Sequence, residues 1–99
     1  MPKVMFTISY AIKPEARDNY IALAGELKRH FTSVEGKNYA VYETRNKKNH
    51  FTEVFVSETL EEFEALEDTQ DERSRELVGR LESMIDDEGM KYSTFVEVV

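Results

Sequence analysis

The amino-acid pattern predicts an α+β fold in the order β-α-β-β-α-α-β, with one four-stranded antiparallel sheet and its helices on one face. Three observations carry this. Four stretches show the alternation of strands, the segments between them place apolar residues at helical spacing, and two asparagine-flanked lysines, Lys47-Lys48, join the middle stretches as a hairpin.

Val4, Phe6, Ile8, Tyr10 and Ile12 put apolar groups on one face at period two, while Met5, Thr7, Ser9 and Ala11 fill the other. This first strand ends at Lys13-Pro14. Pro14 suits a first helical position, and Tyr20, Leu23, Ala24, Leu27, Phe31 and Val34 then recur at helical spacing until Gly36 offers a C-cap. The spacing predicts an amphipathic helix of about five turns. Asn38 to Asn46 and Asn49 to Glu58 are rich in Tyr, Val, Thr and Phe and read as the two hairpin strands. A turn centred on Lys47-Lys48 sets Tyr42 against Glu53 and Ala40 against Phe55 on one side. It sets Val41 against Val54 and Tyr39 against Val56 on the other.

Thr59 with Glu62, and Thr69 with Glu72, have capping-box spacing, so two helices start there. The first is short and turns Leu60, Phe63 and Leu66 inward. The second carries Leu77, Val78, Leu81, Met84 and Ile85 on one stripe and stops at Gly89. Lys91 to Val99 form the last strand. The whole matches the split βαβ, ferredoxin-like plan.

The 99 residues fit one domain spanning 1–99, since chains divide only at two or three times this length. At 40% hydrophobic and 33% charged, with four Gly and two Pro, the chain is too apolar for disorder. It contains no cysteine, which removes disulfides and thiolate chemistry. No apolar run approaches the roughly 18 residues of a membrane span, and the opening Met-Pro-Lys-Val-Met-Phe lacks a signal-peptide layout, so a cytoplasmic location is expected. Twenty acids against thirteen bases give a net charge of −7, the wrong sign for DNA, RNA or anionic membranes. The acids between Glu58 and Glu76 read as a solvated helical face, and Lys28, Arg29, Lys47 and Lys48 are too dispersed for a phosphate groove. No glycine-rich phosphate loop or serine nucleophile elbow is present.

Helices on one face leave the other bare. On the predicted hairpin register Tyr39, Val41, Val54 and Val56 line it, and at about 1.5–3 kcal/mol each their burial rivals a small domain's whole stability. A homodimer formed sheet to sheet is the simplest closure.

The opening strand into Ile12-Lys13-Pro14, the helix closing as Val34-Glu35-Gly36, the stretch Tyr39-Ala40-Val41-Tyr42-Glu43, and Phe51 to Glu58 leading into Leu60-Glu61-Glu62-Phe63 together resemble the dimeric α+β barrel superfamily. Within it the chain resembles the antibiotic biosynthesis monooxygenase type of domain. Such proteins include small oxygenases that oxidise phenolic polyketides without metal or flavin, heme-degrading oxygenases and quinol oxygenases. The family usually carries a Trp near the end of the third strand, where Ser57 stands here, and this chain has no Trp. Heme-degrading relatives need a helix His and a first-strand Asn, and the matching positions are Glu76 and Ile8. The resemblance therefore implies oxygenase chemistry with no cofactor, and no heme.

Glu53 alternates with Phe51 and Phe55, so it can point into an apolar layer, where burial raises a carboxyl toward a useful general base. The plainer reading is a structural partner for Tyr42 across the strands. His30 belongs to the last helical turn, where a cation complements the dipole, and His50 to the hairpin mouth. Two separated histidines without cysteine do not make a zinc or iron site, so no metal is expected.

Two functions remain. One is a cofactor-independent, monooxygenase-like protein acting on a small aromatic or quinol-like molecule. Glu53 would be its base, Tyr42 an orienting hydrogen-bond partner, and Phe6, Ile8, Tyr10, Phe55, Ser57 and Phe63 the pocket. The other is a non-enzymatic dimer that binds a small apolar ligand or protects against stress. Whether Glu53 is buried and faces a cavity separates them.

Overall fold

The computed structural model describes residues 2–66 and 71–99. Its elements are β1 (Val4–Ala11), α1 (Arg17–Arg29), β2 (Asn38–Glu43), β3 (His50–Ser57), α2 (Leu60–Glu64), α3 (Glu72–Glu82) and β4 (Lys91–Val96). A 3-10 turn, Pro14–Ala16, leads into α1, and a π turn, His30–Val34, leaves it. The four strands form one antiparallel sheet in the order β2-β3-β1-β4. The fold is the α+β, ferredoxin-like one the alternation predicts.

The core lies between the sheet and the helices. Tyr20, Leu23, Leu27 and Phe31 descend from α1 and its π turn, Leu77 and Leu81 from α3, and Tyr10, Tyr39, Phe51 and Phe55 rise from the sheet. Pro14 opens the helical segment as its fixed φ favours. Thr59 caps α2 by accepting from the Glu62 amide at 3.1 Å, while Glu62 reaches back to the Glu58 amide at 3.0 Å. Asp71 caps α3 by accepting from the Ser74 amide at 2.8 Å. The predicted Thr69 cap lies outside the described residues.

The hairpin register differs from the predicted one. Tyr39 pairs with Phe55, Val41 with Glu53 and Tyr42 with Thr52. The connection is a six-residue loop, 44–49, whose Asn46 and Asn49 both take left-handed φ (66° and 67°). Asparagine tolerates that region better than most residues. The shift by one residue exchanges the faces of β2 relative to β3. Tyr39 and Val41 thus join the helix side, and Tyr42 leaves it. The opposite face carries Met5, Tyr42, Val54, Val56 and Phe95, and among the described residues no helix covers it.

Three smaller corrections follow from local geometry. The helix from Pro14 does not stay α-helical to Val34, and the π turn swings Val34 outward to 69% exposure. Leu60 is 51% exposed, leaving Phe63 and Leu66 to face inward. α3 stops at Glu82 rather than Gly89, because the backbone beyond it pairs with the end of β1. Met84 accepts from the Lys13 amide, the Asp86 amide donates to Ala11, and Ile85 bridges Ile12. Gly89, at φ +74°, then turns the chain into β4.

Leu77 and Val34 make a matched test of this packing. Leu77→Ala should lower the unfolding free energy by about 2–5 kcal/mol, since Leu77 has no exposed surface. Val34→Ala should change it by less than about 0.5 kcal/mol. Urea unfolding of the two variants checks both values.

Candidate functional site

Between the sheet and the helices lies a cavity of about 230 Å³. Phe6 and Ile8 of β1, Glu53 and Phe55 of β3, Phe31 of the π turn, Leu81 of α3, and Met90 and Tyr92 at the final strand make up most of its wall. Lys37 and Ser74 are its other polar members besides Glu53. Period-two alternation explains the sheet contribution, because Phe6, Ile8, Glu53, Phe55 and Tyr92 all occupy helix-side positions. Phe6 stacks on Tyr92 with ring centroids 6.1 Å apart and meets Phe63 at 5.8 Å.

Glu53 is 4% exposed. Its Oε1 accepts from the Tyr39 hydroxyl at 2.7 Å and its Oε2 from the Tyr10 hydroxyl at 2.8 Å. Tyr10 is also 2.8 Å from the Tyr20 hydroxyl. With the Tyr10 proton on Glu53, Tyr20 is left as the donor to Tyr10. Burial pushes the Glu53 carboxyl above the usual carboxylate range, and the two tyrosine hydrogen bonds pull it only part of the way back. Burial and the nearby carboxylate raise Tyr10 and Tyr39 in turn, so both phenols stay protonated donors.

A second polar cluster closes another side of the cavity. His30 is buried rather than capping the helix dipole at the surface, because the π turn aims it inward toward α3. Its Nε2 lies 2.9 Å from Glu35 Oε2, 3.2 Å from Asp71 Oδ1 and 3.2 Å from Ser74 Oγ. Ser74 donates to Glu35 Oε2 at 2.8 Å, and Lys37 Nζ pairs with Glu35 Oε1 at 2.5 Å. Glu35 is desolvated, which raises its carboxyl, but Lys37 and Ser74 outweigh this and hold it below the usual range.

Of the residues singled out in the sequence, Phe6, Ile8 and Phe55 line the cavity beside Glu53. Tyr10 touches Glu53 from beneath. Phe63 borders an adjoining hollow of about 270 Å³ with Phe6, Glu64 and Leu66. Ser57 is buried at the end of β3, away from the cavity. Tyr42 stands on the other face of the sheet at 60% exposure, so it cannot orient anything at Glu53. Tyr39 takes that place. Sequence reasoning weighed Tyr39 as a ligand-binding or packing tyrosine without bringing it to Glu53, which only a correct hairpin register would have done, and it did not single out Lys37 or Ser74. His50 is half-buried, with Nδ1 3.1 Å from the Lys48 carbonyl.

No protein-family model and no curated protein matches the chain. Solved structures do. SnoaB, a cofactor-independent oxygenase from Streptomyces nogalater, is 13% identical with a TM-score of 0.72, covering 94% of this chain and 90% of its own. A conserved protein from Methanosarcina mazei is 16% identical with a TM-score of 0.80, covering 96% and 92%. A Deinococcus radiodurans protein assigned provisionally as an antibiotic biosynthesis monooxygenase is 14% identical with a TM-score of 0.74, covering 93% and 89%. At these identities the likeness establishes the fold alone, one shared with that cofactor-independent oxygenase and with the provisionally assigned antibiotic biosynthesis monooxygenase.

The buried carboxyl has a signature in the pH dependence of stability. With its folded pKa raised, Glu53 favours folding fully below about pH 4.5, and that contribution is lost as the pH climbs through the raised value. Glu53→Gln removes the titration. The unfolding free energy of the wild type should therefore fall relative to Glu53→Gln between pH 4.5 and 8, measured by urea unfolding of both proteins. A constant difference would contradict the raised carboxyl.

Proposed function

We propose that the protein is a monooxygenase-like enzyme that works without a cofactor on a small aromatic or quinol-like molecule held between sheet and helices. The observation that carries this reading is a carboxyl group buried to 4% exposure, clamped by two phenols, yet on the wall of an apolar cavity. A filled core behind Glu53 would have favoured a purely structural role. The cavity is smaller than the roughly 300–1,000 Å³ of drug-sized pockets, which favours a compact, flat ring system as its occupant. The likeness in fold to SnoaB supports the same class of chemistry.

In this reaction Glu53 is the general base. An activated ring methylene gives one proton to the carboxylate, and the carbanion passes electrons to dioxygen as a carbon–oxygen bond forms. Loss of water then leaves a ketone where the methylene stood. One oxygen atom of dioxygen ends in the carbonyl group, and the other leaves as water with the two methylene hydrogens. The methylene carbon is oxidised and dioxygen is reduced, so no further reductant is needed. A carboxyl raised above its ordinary range by burial is, once ionised, a stronger base than an exposed one. Tyr10 and Tyr39 hold it in one orientation, and the apolar wall keeps water from the carbanion.

The reading includes a second copy. Met5, Tyr42, Val54, Val56 and Phe95 share an open sheet face, and two chains placed face to face would cover it, as in obligate dimers where folding and association are inseparable.

Oxygen uptake over a panel of anthrones, naphthols and quinols should rise on adding protein and fall about 10²- to 10⁴-fold in Glu53→Gln, while Tyr42→Phe holds the wild-type rate. Binding of these compounds with no oxygen uptake would make the protein a ligand-binding dimer instead. Sedimentation should give twice 11.5 kDa for the wild type. Val54→Asp should dissociate or aggregate, because it traps an unpaired carboxylate between sheets, whereas Glu64→Lys on the acidic face should change little. A wild-type mass of 11.5 kDa at micromolar concentration would refute the dimer.

A further inference from the structure

We propose that the side chains joining the end of α1 to the start of α3 form a divalent-metal site, with His30 Nε2, Glu35 Oε2 and Asp71 Oδ1 as ligands and Ser74 Oγ beside them. The three ligand atoms lie within 4.8 Å of one another. The separations from His30 Nε2 are 2.9 Å to Glu35, 3.2 Å to Asp71 and 3.2 Å to Ser74, and Ser74 Oγ is 2.8 Å from Glu35 Oε2. Donors bound tetrahedrally at about 2.0–2.1 Å sit about 3.3–3.4 Å apart, and each of these four separations comes within about half an ångström of that spacing.

Hydrogen bonding alone serves this arrangement poorly. His30 Nε2 carries at most one proton, yet three oxygens surround it. Two carboxylates converge on a single ring nitrogen, and a divalent ion satisfies all three at once. The outer contacts are those that orient ligands: Lys37 Nζ holds the far oxygen of Glu35, and the Ser74 amide donates to Asp71 Oδ1 at 2.8 Å.

The backbone is shaped to the same end. In an α-helix, residues five apart point about 140° away from each other. The π turn closes with the Glu35 amide on the His30 carbonyl at 3.0 Å, which brings these two side chains onto one side. Isolated π turns are frequent at functional sites.

One imidazole and two carboxylates suit first-row divalent ions such as zinc. This departs from the expectation of no metal drawn from the sequence, where Asp71 stands 41 residues from His30. The site does not rest on the oxygenase reading, in which these residues take no part. Ser74 nonetheless lines the cavity, so an ion here would sit one side chain from its contents.

Zinc titration of the full chain, followed by calorimetry, should show one saturable equivalent per chain, and cobalt(II) should develop the visible absorption of a low-symmetry site. His30→Ala should abolish the uptake. Asp71→Asn should weaken zinc at least about tenfold with an unchanged circular dichroism spectrum, since a half-exposed cap retains an oxygen for the Ser74 amide. His50→Ala and Glu53→Gln should bind as the wild type does, which keeps this result separate from that of the oxygen assay. No saturable uptake by the wild type overturns the site. Uptake unchanged in Asp71→Asn also overturns it, and decides the matter if His30→Ala fails to fold.

Discussion

A carboxyl group placed in an apolar layer must find donors or be expelled, and at Glu53 that requirement reaches three elements. β1 supplies Tyr10, β2 supplies Tyr39, and α1 supplies Tyr20 behind Tyr10. Leaving such a group unpaired costs more than any single apolar contact nearby returns. The strands must therefore hold the register that aligns Tyr10 and Tyr39 on either side of Glu53, and α1 must lie over them. The aromatic packing follows the same placement, with Tyr20 4.4 Å from Phe51 and Tyr39 4.7 Å from Phe55 between ring centroids.

Alternation and capping made most of the architecture legible in the residues themselves. Val4, Phe6, Ile8 and Tyr10 recur at period two, Pro14 and Gly36 bracket the first helical segment, and Thr59 with Glu62 marks the second. Parity between β2 and β3 was not legible. It depends on whether an even or an odd number of residues separates the last paired positions: a two-residue turn at Lys47-Lys48 gives the predicted pairing, whereas seven residues lie between the paired Glu43 and Phe51, and Lys47-Lys48 between asparagines is compatible with either. That single residue of slip decided whether Tyr42 or Tyr39 met Glu53. The cluster around His30 was hidden for another reason. It joins residues distant in sequence through a π turn, and the spacing of apolar side chains does not separate that turn from another turn of α-helix.

The helix layer is held by packing more than by charge. Glu26 lies between Arg73 and Arg80 at 3.0 and 2.8 Å, tying α1 to α3 across their outer surface. Exposed pairs of this kind contribute about 0–1 kcal/mol. Below them Leu23, Leu27, Leu77 and Leu81 are almost wholly buried, and each is worth more than the ion pair above it. The charges fix which way the two helices slide, while the leucines fix that they touch.

Of the four strands, β4 is the one with no buried residue, and it pairs only with β1, from which it is separated by nearly the whole chain. Such a pairing is costly in loop-closure entropy and regains little apolar burial, which puts it at the low-stability end of the fold. Tyr92, and Met90 just before the strand, belong to the cavity wall. The chamber around Glu53 thus has one wall whose local unfolding is cheap beside the cost of lifting α1 or α3. Of the walls around Glu53, this edge is the one whose opening would ask for the least unfolding and would leave the tyrosines beneath in place.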